Sequence, residues 1–110
     1  MSQAIDLAHL GRYTMSDRAL EAEILNLFVG QVPETIGRLR SANTEAEWRA
    51  AAHTLKGSAR AVGAWRLADR AADAEKSASE QDVWPSHISL IEAAASEASA
   101  FVEDLTVPSA

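Results

Sequence analysis

The chain has no cysteine, which excludes disulfides and thiolate chemistry and permits a reducing compartment. Aromatic residues make up only 5% of its 110 residues, and there are three prolines and five glycines. Long β-branched runs and clusters of turn residues are also missing, which removes the usual marks of a sheet protein. No apolar run approaches the roughly 18 residues that could cross a bilayer. The N-terminus lacks the basic-then-apolar layout of a secretory signal. A basic excess is absent too. The formal net charge of −6 argues against nucleic acid as a partner, because binding a phosphate backbone needs a broad basic surface. These absences make a soluble, cytoplasmic protein with no membrane contact the expectation, and a monomer is the default.

What is present is ordinary for a globular domain: 47% hydrophobic residues, 24% charged residues and abundant alanine. The length suits one domain spanning residues 1–110, and the economical fold is all-α. Ala4 to Leu10 predicts a short first helix ended by Gly11. Ser16 is the expected N-cap of a long helix reaching Ala42, with Leu20, Ile24, Leu27, Phe28, Val32, Ile36 and Leu39 as its apolar stripe and a kink at Pro33. Thr44 and Glu47 form a capping box that opens the next helix, which should close near Gly63. Trp65, Leu67, Ala68, Ala71, Ala72, Ala74 and Ala78 mark the third helix of the bundle, a small-faced one. Ser79 to Trp84 reads as a turn, and Pro85 suits the first position of a last helix carrying Ile88, Ile91, Ala95, Ala98, Phe101, Val102 and Leu105. Val107 to Ala110 is expected to fray. The predicted architecture is an antiparallel up-down-up-down four-helix bundle with a short extra N-terminal helix.

The chemistry concentrates in Ala52-His53-Thr54-Leu55-Lys56-Gly57-Ser58-Ala59-Arg60-Ala61-Val62-Gly63. At roughly 100° per residue, Trp48, Ala51, Ala52, Leu55, Ala59 and Val62 form one apolar face. Arg49, Ala50, His53, Lys56, Gly57 and Arg60 fall on the opposite, wet face. A histidine that merely filled the core would sit in the first group. A neutral imidazole nitrogen is a good nucleophile near pH 7. Cations at Lys56, Arg60 and Arg49 lie on its face, where they can pair with an anionic group that reaches the ring. Gly57 costs a helix interior about 1 kcal/mol relative to alanine and leaves a dent beside the histidine, which makes sense if another backbone must approach closely.

The spacing His53-x-Leu55-Lys56-Gly57-Ser58-Ala59-x-x-x-Gly63 resembles the signature of histidine-containing phosphotransfer (HPt) domains, and the likeness continues through Ala64 and Leu67 to Glu75. The resemblance implies that His53 Nε2 accepts a phosphoryl group from an aspartyl-phosphorylated receiver domain or a hybrid sensor histidine kinase, and passes it to a response-regulator receiver. It implies a phosphohistidine carrier without kinase activity of its own. The chain then needs no cofactor or metal, since Mg²⁺ belongs to the receiver. Lys56 and Arg60 join His53 as candidate catalytic residues. Arg49, Ala50, Gly57 and exposed positions near Asp17 to Ile24 are candidate docking residues. The chain reads as a free-standing module, although a domain excised from a larger kinase would look the same.

Other classes fit less well. A docking module that keeps the bundle but performs no chemistry would be expected to lose His53 or Lys56, and both are present. A metal enzyme in a helical bundle needs inward Glu-x-x-His pairs, which do not occur. His9 and His87 stand apart without ligand spacing, and no nucleophile elbow marks a serine hydrolase.

Overall fold

A computed structural model describes residues 3–106; Met1, Ser2 and the expected frayed segment Val107 to Ala110 lie outside the described residues. The elements are α1 (Leu7–Thr14), α2 (Arg18–Ser41), α3 (Glu45–Val62), α4 (Trp65–Lys76), a single 3₁₀ turn at Gln81–Val83, and α5 (Trp84–Thr106), with no strand among the described residues. In the packing order, α2 meets α3, α3 meets α4, α4 meets α5, and α5 returns to α2, so the long helices close a four-membered ring, and α1 packs on α2 and α3. No helix among the described residues is long and apolar enough to cross a membrane.

The expected stripe of α3 is the buried one: Trp48, Ala51, Ala52, Leu55, Ala59 and Val62. On α2 the core positions are Leu25, Phe28, Val32, Ile36 and Leu39, while Leu20 and Leu27 face outward at 40% and 63% exposure. Spacings of three and four residues run from Leu25 to Leu39 without a break, whereas Leu27 stands about 100° off that line. Leu105, expected in the core, is likewise exposed, and Ala94 joins Ile91, Ala95, Ala98 and Val102 inside. Between α3 and α4 the core is largely alanine, with Ala51, Ala52 and Ala59 on one side and Ala68, Ala71 and Ala74 on the other. Such small faces bring backbones close.

Both ends of α1 and the starts of α2 and α5 depart from expectation, each for a local reason. α1 runs through Gly11 to Thr14 because Asp6, whose Oδ1 accepts from the His9 amide at 3.1 Å, caps its start and Leu10 and Thr14 are buried. Ser16 does not cap α2. Met15 and Ser16 hold φ of 54° and 61°, and an N-cap needs the extended conformation that Asp17 adopts, with its carboxylate accepting from Leu20 N. As expected, α2 continues across Pro33 as one helix. Pro85 is the second residue of α5 rather than the first, still in the turn where a missing amide costs nothing. The capping box at Thr44 forms in altered shape. Thr44 Oγ1 accepts from the Glu47 amide at 3.1 Å, but Glu47 Oε1 accepts from the Asn43 amide, one residue upstream of the expected partner.

The α3–α4 turn packs closely against the N-terminal segment. Gly63 has φ 78°, and its carbonyl accepts from the Asp6 amide at 2.9 Å. A Cβ there would stand 2.9 Å from both Cβ and the backbone oxygen of Asp6. Ile5 beside it is fully buried, and the Trp65 indole N–H donates to Asp6 Oδ2 at 2.9 Å. That hydrogen bond, with the His9 amide, holds the Asp6 carboxyl below its ordinary value. The N-terminal residues thus strap the end of α3 to the start of α4.

Gly63→Ala therefore meets two penalties, a left-handed backbone worth about 1–2 kcal/mol and a steric overlap with Asp6. Gly30, inside α2 with open space around it, is the contrast. Thermal denaturation followed by circular dichroism should place Gly63→Ala at least about 5 °C below wild type. Gly30→Ala should match or exceed wild type.

Candidate functional site

α3 presents its polar face because its apolar face is consumed by the core. His53 lies midway along that face with its side chain 69% exposed. α4 returns beside α3 and brings Glu75 against the histidine: Glu75 Oε2 lies 3.0 Å from His53 Nδ1, and Glu75 Oε1 lies 2.5 Å from Lys56 Nζ. One carboxylate thus binds both the imidazole and the lysine three residues further on.

The proton positions follow from the donor inventory. The Lys56 ammonium, acting as hydrogen-bond donor, is the main cause holding the Glu75 carboxyl below its ordinary value of 4.5; burial opposes it and the His53 bond adds to it. Glu75 is therefore ionised at neutral pH, and an ionised carboxylate only accepts. The nitrogen facing it must carry the proton, so neutral His53 is Nδ1–H and its lone pair sits on Nε2. Glu75 thus selects which ring nitrogen keeps its lone pair.

The other expected residues divide. Arg49 and Ala50 line a shallow concavity of about 430 Å³ together with Ala46, His53 and Glu75. Its walls come from α3 and α4 alone, so the Asp17 to Ile24 segment does not contribute to it; Arg18, Glu21 and Ala22 instead line a separate hollow with Leu7, Ala8 and Leu105. Gly57 is exposed, and a Cβ there would meet nothing within 4 Å. Arg60 is exposed, and neither it nor Arg49 forms an ion pair among the described residues. Lys56 differs from expectation. Its side chain is only 18% exposed and is committed to Glu75, so it is not a free cation awaiting a phosphoryl group. His9 packs edge-on against Tyr13 and Trp65, away from this site.

Glu75 is the residue that reading the sequence missed, since there it only marked how far a resemblance extended. The available signal was indirect. The buried alanines of α4 at 68, 71 and 74 put residue 75 at the edge of the face turned to α3.

Because Glu75 is held below its ordinary value, its contribution to stability is present above that value and is lost as pH falls through the depressed one. Urea denaturation across the acid range should show wild type losing stability below about pH 4.5 more steeply than Glu75→Gln, while the two curves run parallel near neutrality. Gly57→Ala should raise the urea midpoint by an amount corresponding to about 1 kcal/mol, since the position is helical and unobstructed.

The profile of the Hpt domain family matches residues 23–101. Searches against curated proteins and against solved structures returned no match. The matched stretch holds His53, Lys56, Gly57, Gly63 and Glu75 and covers α3, α4 and most of α2 and α5. The chain belongs to the Hpt domain family, the histidine phosphotransfer modules of two-component phosphorelays.

Proposed function

We propose that His53 is the phosphoacceptor of this module, taking a phosphoryl group on Nε2 from the aspartyl phosphate of a receiver domain or hybrid kinase and delivering it to a response-regulator receiver. The observation that carries this reading is Glu75 at Nδ1. In the transfer, the Nε2 lone pair forms the N–P bond while the P–O bond to the aspartyl carboxylate breaks, and the electron pair leaves with that carboxylate. The ring, which keeps its Nδ1 proton, gains positive charge as the bond forms. An ionised Glu75 on Nδ1–H stabilises that charge, and the same contact persists in the phosphohistidine. A module that only docked would have no use for an ionised carboxylate behind the ring.

The phosphoryl oxygens need cations in front of the ring. Lys56 is held by Glu75, which leaves Arg49 and Arg60. Arg49 is one turn away, roughly 6 Å of helix rise, and shares the concavity with His53. Arg60 is two turns away, roughly 10 Å of rise. We assign Arg49 to the phosphoryl group and Arg60 with Gly57 and Ala50 to the surface on which the receiver lands. On this reading the protein is a carrier in the cytoplasm, where receivers reside, and the receiver supplies Mg²⁺ and most of the catalysis.

The test is transfer from a panel of phosphorylated receivers in Mg²⁺, read as acid-labile, base-stable label on this chain. Wild type should be labelled by at least one receiver and His53→Gln by none. Glu75→Gln should remain labelled but at a rate roughly tenfold lower, the lower range for loss of a charge-assisted hydrogen bond at an exposed ring. Absence of label on wild type across the panel and candidate kinases, with receiver binding intact, would overturn the carrier reading in favour of a docking role.

A further inference from the structure

Glu75 can select the tautomer of His53 only if the last turn of α4 keeps its register against α3. Helix ends are poorly suited to that, because their last carbonyls lack the donors of a continuing helix. At the end of α4 the Ser77 amide donates to the carbonyls of Asp73 and Ala74 and the Glu80 amide to that of Ser77, bonds that close the turn on itself and do not tie it to α3. α4 is short, Trp65–Lys76, and Glu75 is its next-to-last residue. Two indoles supply the missing restraint. Trp48 Nε1 donates to the carbonyl of Ala74 at 2.7 Å, and Trp84 Nε1 donates to the carbonyl of Ser77 at 3.2 Å. These carbonyls bracket Glu75. The two rings stack at 4.4 Å between centroids with 5° between planes, and they are 0% and 8% exposed.

The placement in sequence gives the pair its significance. Trp48 belongs to α3, the helix that carries His53, and its bond lands on the residue directly before Glu75. Trp84 opens α5 and reaches back past the Gln81–Val83 turn. The end of α4 is therefore tied to the histidine's own helix and to α5 through one stacked unit. Phenylalanines could fill similar volume and leave the backbone bonds of the turn in place, but they would remove the two donors that tie the last turn of α4 to α3 and α5.

We propose that the Trp48–Trp84 stack is a positioning element of the phosphoacceptor site, setting the register at which Glu75 meets His53 Nδ1 and so the nitrogen offered for transfer. The proposal rests on Glu75 selecting the tautomer, as described for His53 above. Neither indole touches the reacting atoms. Both act through the backbone around Glu75, and their N–H groups, rather than their bulk, do the positioning.

The experiment measures the ¹⁵N shifts of His53 Nδ1 and Nε2 in histidine-labelled, unphosphorylated protein at alkaline pH, where a neutral ring reports its tautomer without any partner. Wild type should be predominantly Nδ1–H. Trp48→Phe and Trp84→Phe should lower the Nδ1–H to Nε2–H ratio by about two- to tenfold, the range for losing a hydrogen bond's worth of restraint, and slow transfer from a receiver in step. Phe28→Leu, a core change on α2 that lowers thermal stability, should leave the ratio at its wild-type value. If Trp48→Phe does not fold, benzothienylalanine at position 48 keeps the indole's shape without the N–H and takes its place. A folded variant lacking the Trp48 N–H with a wild-type ratio overturns the proposal, as does an equal shift in Phe28→Leu. A wild-type protein without Nδ1–H preference overturns it together with the role of Glu75, while the carrier reading stands or falls separately on the labelling of His53.

Discussion

The close packing of α3 on α4 is the constraint from which the site follows. Alanines 51, 52 and 59 on one helix face alanines 68, 71 and 74 on the other, and small side chains let the backbones approach until a glutamate on α4 spans to a histidine and a lysine on α3. Larger residues in that seam would separate the helices and strand Glu75 in solvent. The alanine seam buries little apolar area per residue, so the larger side chains of Trp48, Leu55, Leu67, Ile91 and Val102 carry most of the core. Both ends of the seam are also pinned. Asp6 bonds Gly63 at the turn, and Trp48 bonds Ala74 near the open end.

The electrostatics are arranged on two sides of one ring. Behind it, Glu75 is held ionised by Lys56 and faces Nδ1. In front of it, Nε2 is left to solvent beside arginines without an ion-pair partner among the described residues. The chain is acidic overall, with a net charge of −6, so the cations on this face are a local exception of the kind a phosphoryl group requires. Surface pairs elsewhere, Arg40 with Glu92 and Arg66 with Glu97, link neighbouring helices but lie exposed and add little stability.

The N-terminal segment completes the fold outside the stretch matched to the family. The family match begins at residue 23, yet Ile5 is fully buried and Asp6 bonds both Gly63 and Trp65. Gly63 is accordingly required twice, once for its left-handed backbone and once for the close approach of Asp6. The turn between the two helices that build the site is thereby closed by residues outside the matched stretch.

Helical periodicity, capping residues and the spacing around His53 were enough to establish by themselves an all-helical chain, the buried and exposed faces of α3, and the phosphotransfer motif. These are local properties, decided by residues within a turn or two of one another. Where local signals compete, as at Gly11, Ser16, Leu20 and Leu27, the local reading pointed the wrong way, because packing against a distant helix outweighs a propensity of about 1 kcal/mol. Only the tertiary structure decided that Lys56 spends its charge on Glu75, that Glu75 takes the proton-bearing side of His53, and that the tryptophans cap the end of α4. Each of these contacts joins residues 19 to 26 positions apart or bridges separate helices. No periodicity reports such pairings, since they depend on the distance and register at which one helix packs on another.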